Sequence, residues 1–202
     1  MKFDFDDQQF QYLYVQCGDI SHVDLSDWYE AYCDRIEAVF NSMEPALPKT
    51  CRSLLDIGGG LSGIGARLNQ HYGGNVRVCV LDGKNTLAQV DRHSQPFNNA
   101  TQTQTFLRKN GVRNQDFYSP DDEVTESFDL IISTQAWCFH IAPCVYLDMV
   151  KRTLRPSGSL IVDVRRGHPE WLTQLDDTFG ASTLLASAPK WLRVGYEVKY
   201  AE

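Results

Sequence analysis

The sequence predicts an α/β protein: a three-layer α/β/α sandwich on a doubly wound, mostly parallel sheet of seven strands. Three observations lead there. From Ser53 onward, short apolar runs alternate with helical segments of ten or so residues, the pattern of strands joined by right-handed crossovers. A glycine-rich turn, Gly58-Gly59-Gly60-Leu61-Ser62-Gly63, follows the first apolar run and opens the first of those helices. Two more strand-like runs surround Pro189 and bring the strand total to seven.

Each element has a local reason. Residues 1–24 are mixed aromatic and acidic with no clean period. From Leu25 a helix is expected, with Ser26 as its N-cap and Trp28, Tyr32, Ile36 and Phe40 recurring every four residues on one face. Pro45 and Pro48 mark its end. Most of those aromatics are expected to meet the sheet, with Trp28, Tyr29 or Tyr32 as candidates to cover a ligand. Ser53–Ile57 is the first strand, Ile64–Tyr72 a helix closed by Gly73-Gly74, and Val76–Leu81 the second strand. A polar connection from Lys84 to Asn98, containing Pro96, leads to a helix over about 98–110 and a short third strand, Val112–Phe117. Phe128–Ile132 is the fourth strand, Tyr146–Leu154 a helix, and Arg155-Pro156-Ser157-Gly158 a turn. Ser159–Val164 is the fifth strand and Pro169–Phe179 the last helix. The division expected is an N-terminal helical cap segment over 1–48 and a cofactor-binding domain over 49–202, compact as a single domain.

Composition narrows the function. With 202 residues, 43% hydrophobic and 22% charged, the chain suits one globular domain. Its start, MKFDFDDQQF, is acidic and lacks the basic and apolar regions of a secretory signal, and no run is long enough to span a membrane. A soluble cytoplasmic protein is expected. The net charge of −7 weighs against nucleic acid as a partner, since Lys151-Arg152 and Arg165-Arg166 are short basic clusters. Six cysteines (17, 33, 51, 79, 138 and 144) form no C-x-x-C pair and no structural-zinc spacing, so reduced thiols are expected.

The glycine turn sits where open α/β sheets bind ligands, beyond the carboxyl end of a strand. Gly58, Gly60 and Gly63 satisfy G-x-G-x-x-G, which admits a nicotinamide or flavin dinucleotide. Asp56, two residues before the first glycine, favours a cation instead. A carboxylate there repels a pyrophosphate and attracts an ammonium or sulfonium.

L-L-D-I-G-G-G-L-S-G (residues 54–63) resembles motif I of the class I S-adenosylmethionine-dependent methyltransferases, with Ser62 where an alternate glycine often stands. Four further segments resemble that family in order: V-R-V-C-V-L-D ending at Asp82, N-Q-D-F with Asp116 and Phe117, F-D-L-I-I-S-T-Q-A-W containing Ser133, and T-L-R-P-S-G-S-L-I-V-D ending at Asp163. The resemblance covers Ser53 to Val164 and implies a Rossmann-like methyltransferase fold with S-adenosylmethionine as cofactor. It implies that Asp56, Gly58, Gly60 and Gly63 hold the methionyl end and that Asp82 accepts from the ribose hydroxyls. It also implies that Asp116 and Phe117 meet the adenine, and that Ser133 joins the cofactor-contacting set.

Methyl transfer needs alignment and exclusion of water more than a fixed catalytic set. The segment Ser133–His140 lacks the Asp/Asn-Pro-Pro-Tyr/Phe signature of DNA amino-methyltransferases. His140 is a candidate base, with a histidine bonded to a neighbouring helix as the alternative. Asp163 is the second candidate catalytic residue, and Arg165, Arg166 and His168 follow it on the same edge. The Trp137-Cys138-Phe139 run beside His140 and the arginines favours O-methylation of a small hydroxylated or sugar-like acceptor. No distinctive metal-ligand set is expected. The pocket roof would come from the N-terminal segment, the polar connection or a second subunit, as in a homodimer. Two alternatives stay open: a non-catalytic cofactor-binding subunit, and a nicotinamide-dependent oxidoreductase, for which no Tyr-x-x-x-Lys motif is present.

Overall fold

The computed structural model describes residues 1–6, 9, 25–83 and 100–198. The polar connection from Lys84 to Asn98 with its Pro96, Cys17 with most of the N-terminal segment, and the Ser26 side chain expected to cap a helix lie outside the described residues. The chain forms α1 (Leu25–Met43), a 3-10 turn (Glu44–Ala46), β1 (Ser53–Ile57), α2 (Gly63–His71) and β2 (Arg77–Leu81). Next come α3 (Ala100–Lys109), β3 (Gln115–Tyr118), β4 (Phe128–Ser133) and β5 (Ala136–Ile141). A second 3-10 turn (Pro143–Val145) precedes α4 (Leu147–Thr153), β6 (Leu154–Arg165), α5 (Pro169–Phe179), β7 (Thr183–Ala188) and β8 (Trp191–Glu197).

Seven strands make one sheet in the order β3-β2-β1-β4-β6-β8-β7. The β1, β2, β3, β4 and β6 pairings are parallel, and β8 joins β6 and β7 antiparallel. Strand order reverses at β1, so the carboxyl ends of β1 and β4 part around a crevice. The two faces of the sheet carry separate cores, as the two-residue period of a strand requires. Leu54, Val78, Val80, Leu130, Ile132 and Ile161 pack with Phe40 and Met43 of α1, Ile64 and Leu68 of α2 and Phe106 of α3. Leu55, Ile57, Cys79, Leu81, Ile131, Leu160 and Val162 pack on the other side with Trp137, Val150 of α4 and Leu175 of α5. Phe3 joins the first core together with α1, so buried packing runs across residue 48. No helix among the described residues is long and apolar enough to cross a membrane.

Three elements differ from expectation. β5 is an additional extended segment outside the seven-strand order; Gln135 just before it and Cys138 within it take positive φ values of 52° and 65°. Burial of the Trp137 side chain, whose Nε1 donates to the Pro143 carbonyl at 3.1 Å, holds it down. β3 starts at Gln115 rather than Val112, because residues 111 and 112 still close the end of α3 through Gly111 N to Arg108 O and Val112 N to Leu107 O. β6 begins early, at Leu154, and takes up the expected Arg155–Gly158 turn as a bulge between Phe128 and Leu130 of β4.

Candidate active site

The turn after β1 is held from three sides. Gly58 and Gly60 adopt φ values of +70° and +58°, which glycine takes without strain. Gly58 N donates to the Leu81 carbonyl at 2.7 Å, tying the turn to the end of β2. Gly60 N donates to Asp82 Oδ2 at 2.8 Å, and Gly60 O accepts from Thr103 Oγ1 of α3 at 2.7 Å. A Cβ on Gly58 would lie 2.2 Å from the Ala136 Cβ, so β5 starts hard against the turn. Gly63 opens α2 beneath the Tyr32 hydroxyl, which a Cβ there would meet at 2.1 Å. Tyr32 of α1 is thus a packing partner of the helix start.

Asp82 stands at the mouth, with its second oxygen accepting from Gly83 N at 2.7 Å. Two backbone amides fix its orientation, and a carboxylate's capacity of about four acceptor sites is compatible with added hydroxyl donors. Tyr146, just before α4, is buried close to it; burial and the charges of Asp82 and Asp121 raise its hydroxyl pKa. No motif marked Tyr146 in the sequence. Its place follows from β5 and the second 3-10 turn, which return the chain to the end of β2.

Asp56 is fully buried beneath the turn. Its Oδ2 accepts from the Ser62 hydroxyl at 2.7 Å, while Oδ1 is buried with no hydrogen-bond partner. Burial pushes its carboxyl up to about 7, with Asp82 adding to the rise and the Ser62 bond opposing it. A buried carboxyl with one unsatisfied oxygen suits a cationic ligand, which supplies both the missing donor and the missing charge. The residues present therefore fit a sulfonium cofactor with its ammonium.

Several of the expected site residues have other partners within the chain. Asp116 lies in the lower half of β3, level with Cys79, three residues short of the level of Asp82. Its carboxylate pairs with Arg77 Nη2 at 2.7 Å, and Arg77 also binds Glu126, so the group belongs to an ion cluster at the amino end of β2. Phe117 is level with Val80 and packs against the core below the edge. Neither residue reaches the carboxyl edge, because β3 continues to Tyr118. Ser119 is the residue beside Asp82, whose amide donates to the Tyr118 carbonyl at 3.0 Å. Ser133 does end β4 at the crevice, yet its hydroxyl donates to Ile57 O at 2.8 Å and accepts from Trp137 N at 2.9 Å. It joins β4, β1 and β5 beneath the turn rather than offering its hydroxyl to a ligand.

Asp163 is likewise engaged within the chain. It is fully buried, and Arg193 Nε and Nη2 donate to its two oxygens, each at 2.8 Å. Burial raises its pKa and the guanidinium works against that rise, so its proton-accepting oxygens are already engaged. It braces β6 and β8 through that pair. His140 is exposed on β5, edge-on to Phe139 at 4.7 Å. Partial burial of its ring and the positive charge of Arg165 lower its pKa. Arg165 reaches the Phe139 carbonyl at 3.5 Å and lies over that ring at 5.5 Å. Arg166 instead bonds Ala188 O, and His168 stacks on Trp171 at 4.1 Å. The described cysteines are free, four of them buried and Cys144 exposed.

Residues 55–162, just over half of the chain, match the sequence model of a family described as "Methyltransferase domain". A search of curated proteins finds no match. Solved structures agree on the fold. The StiE O-MT structure (residues 961–1257) aligns at a TM-score of 0.62 and 9% identity, over 98% of this chain and 83% of that one. A Thermus thermophilus 16S rRNA N2 G1207 methyltransferase, RsmC, solved with AdoMet and guanosine, aligns at 0.55 and 18% identity, over 81% of this chain and 42% of that one. An O-methyltransferase family protein from Burkholderia thailandensis aligns at 0.53 and 9% identity, over 84% of this chain. The chain spans only 59% of the length of that protein. With an acid-bearing glycine turn at the head of a parallel sheet and a family match running from β1 into β6, the chain belongs to the methyltransferase domain family, the class I S-adenosylmethionine-dependent methyltransferases.

Proposed function

We propose that this chain transfers a methyl group from S-adenosylmethionine to the oxygen of a small hydroxylated or sugar-like acceptor. The observation that carries the cofactor half is the buried Asp56 with one unpartnered oxygen beneath the Gly58–Gly63 turn. Asp56 would hold the methionyl end and Asp82 the ribose hydroxyls, with Tyr146 beside Asp82 closing the adenosine side. When bound, the sulfonium supplies an electrophilic methyl group.

The acceptor half rests on the rim formed by β5 and the end of β6. Arg165 offers a cationic donor and His140 an imidazole, with the buried Phe139 ring packed against both. Its lowered pKa keeps His140 neutral at pH 7, so a ring nitrogen can take the proton of an acceptor hydroxyl. Arg165, held to the Phe139 carbonyl, favours the neutral ring by charge repulsion and can orient an oxygen-rich acceptor. Two of the fold relatives carry O-methyltransferase names. At 9% identity they support the scaffold, and the choice of oxygen rests on the rim.

The test is calorimetric binding of S-adenosylmethionine, followed by transfer of a labelled methyl group to matched panels of phenols, sugars and amines. Labelled ethers are the expected product. Labelled amines alone would overturn the oxygen assignment. Cofactor binding without transfer to any acceptor would instead indicate a non-catalytic subunit.

A further inference from the structure

Ser62 departs from the glycine pattern of its loop, and its geometry is demanding. It sits at φ 58° and ψ 46°, a left-handed conformation that glycine adopts freely and serine only with strain. The side chain that this strain retains is fully buried, and its hydroxyl donates to Asp56 Oδ2 at 2.7 Å. The surroundings are shaped to admit the pair. A Cβ on Gly59 would lie 2.5 Å from Asp56 Oδ2, and a Cβ on Gly65 would lie 2.3 Å from Ser62 Oγ. Side chains are thus excluded from both flanks of one hydrogen bond, while Asp56 Oδ1 is left buried without a partner.

We infer that Ser62 is a positioning residue for the cofactor: its hydroxyl pins one oxygen of Asp56 and so keeps the other as the acceptor for the cofactor's cationic end. The inference rests on the proposal that S-adenosylmethionine binds at this turn. A role in helix capping alone does not account for the geometry, since Ser62 makes no side-chain cap bond to α2.

Among the described residues, three groups face Asp56: Ser62 from the turn, Asp82 from the end of β2 and Tyr32 from α1. Of these, Asp82 is the one charged at neutral pH, and it raises the Asp56 pKa as burial does. Ser62 opposes both by donating to the ionised form. Without its hydroxyl, Asp56 holds its proton to higher pH, so the loss of cation binding on acidification begins at a higher pH.

Ser62→Gly is the informative variant, because glycine takes the left-handed backbone without strain and the fold is retained. S-adenosylmethionine is titrated calorimetrically into wild type and variant from about pH 5.5 to 8.5, with thermal unfolding in parallel. The expected result is a Tm at or above that of wild type and a Kd raised about tenfold near pH 7. The acid limb of binding should also move up by about half a unit or more. In an Asp56→Asn background the same substitution should change nothing further, because the hydroxyl acts through the carboxylate. Ser62→Cys, which keeps the volume and weakens the donor, should show the same shift in smaller measure. Wild type that fails to bind S-adenosylmethionine overturns the cofactor proposal itself. Wild type that binds, with Kd and acid limb unmoved in Ser62→Gly or moved equally in the Asp56→Asn background, overturns the role of Ser62 alone.

Discussion

Arg193 of β8 grips Asp163 of β6 with two parallel bonds of 2.8 Å, and the pair is almost wholly out of water, at 2% and 0% exposure. A third guanidinium nitrogen, Nη1, donates to the Ser42 hydroxyl near the end of α1 at 2.7 Å. One ion pair therefore fastens two neighbouring strands and the first helix together. Removing one partner leaves a buried charge without its counter-charge, so Asp163→Ala should cost about 3–5 kcal/mol of stability. Denaturant unfolding checks this. Replacing both residues with Leu and Met should recover most of the loss. A variant as stable as wild type but inactive would instead return Asp163 to the chemistry.

Asp82 orients the turn through Gly60 N and faces the mouth. Asp82→Ala should weaken S-adenosylmethionine binding by about 1.5–3 kcal/mol, roughly ten- to a hundredfold in Kd. Calorimetry at neutral pH reads this directly, and an unchanged Kd would place the ribose elsewhere.

Asp116 offers the opposite test. It pairs with Arg77 at the amino end of the sheet and is half exposed. Asp116→Ala should leave cofactor affinity unchanged and lower stability by no more than about 1 kcal/mol. A tenfold loss of affinity would restore the adenine role that the residue's place in β3 argues against.

The pH dependence of the cofactor-free protein should carry the signature of Asp56. Its carboxyl is raised from 3.8 to about 7 in the folded state. Below about pH 4 both states are protonated and the group contributes no difference. As pH rises toward 7 the unfolded chain gives up this proton first, so stability declines across that window. Glu37, Glu126 and Asp129 are shifted downward and work in the other direction. The difference between wild type and Asp56→Asn isolates the effect: the variant should gain stability relative to wild type from about pH 4 to 7. A parallel pair of Tm–pH curves would contradict an elevated Asp56.

His140 separates binding from chemistry. His140→Ala should leave the S-adenosylmethionine Kd within about twofold and lower kcat for a hydroxylated acceptor by about a hundredfold. Because its pKa lies below the ordinary histidine value, the wild-type acid limb of kcat should fall below about pH 6.5 and vanish in the variant. Unchanged kcat would make His140 a rim residue only.

What the sequence determined alone is everything governed by short-range order. The alternation of apolar strands with helices dictated the layers, since each helix needs a sheet face and each strand shows side chains to both. Likewise, Asp56 and the glycines lie within eight residues of one another, so local backbone geometry already makes them a turn with a buried acid. The Ser62 departure was visible too, though not its bond to Asp56.

Tertiary structure decided the roles that depend on distant partners. Asp163 reads as a candidate base until Arg193, thirty residues later in the chain, is seen to occupy both its oxygens. Asp116 reads as the end of a strand until α3 is found to close late, moving β3 along and leaving the residue beside Arg77. Tyr146 comes near enough to Asp82 to feel its charge only through the fold, since the two lie more than sixty residues apart in the chain. Hydrophobic periodicity records which face a residue takes. The height of a residue along its strand, and the charge that meets it there, are set by long-range packing that no local pattern encodes.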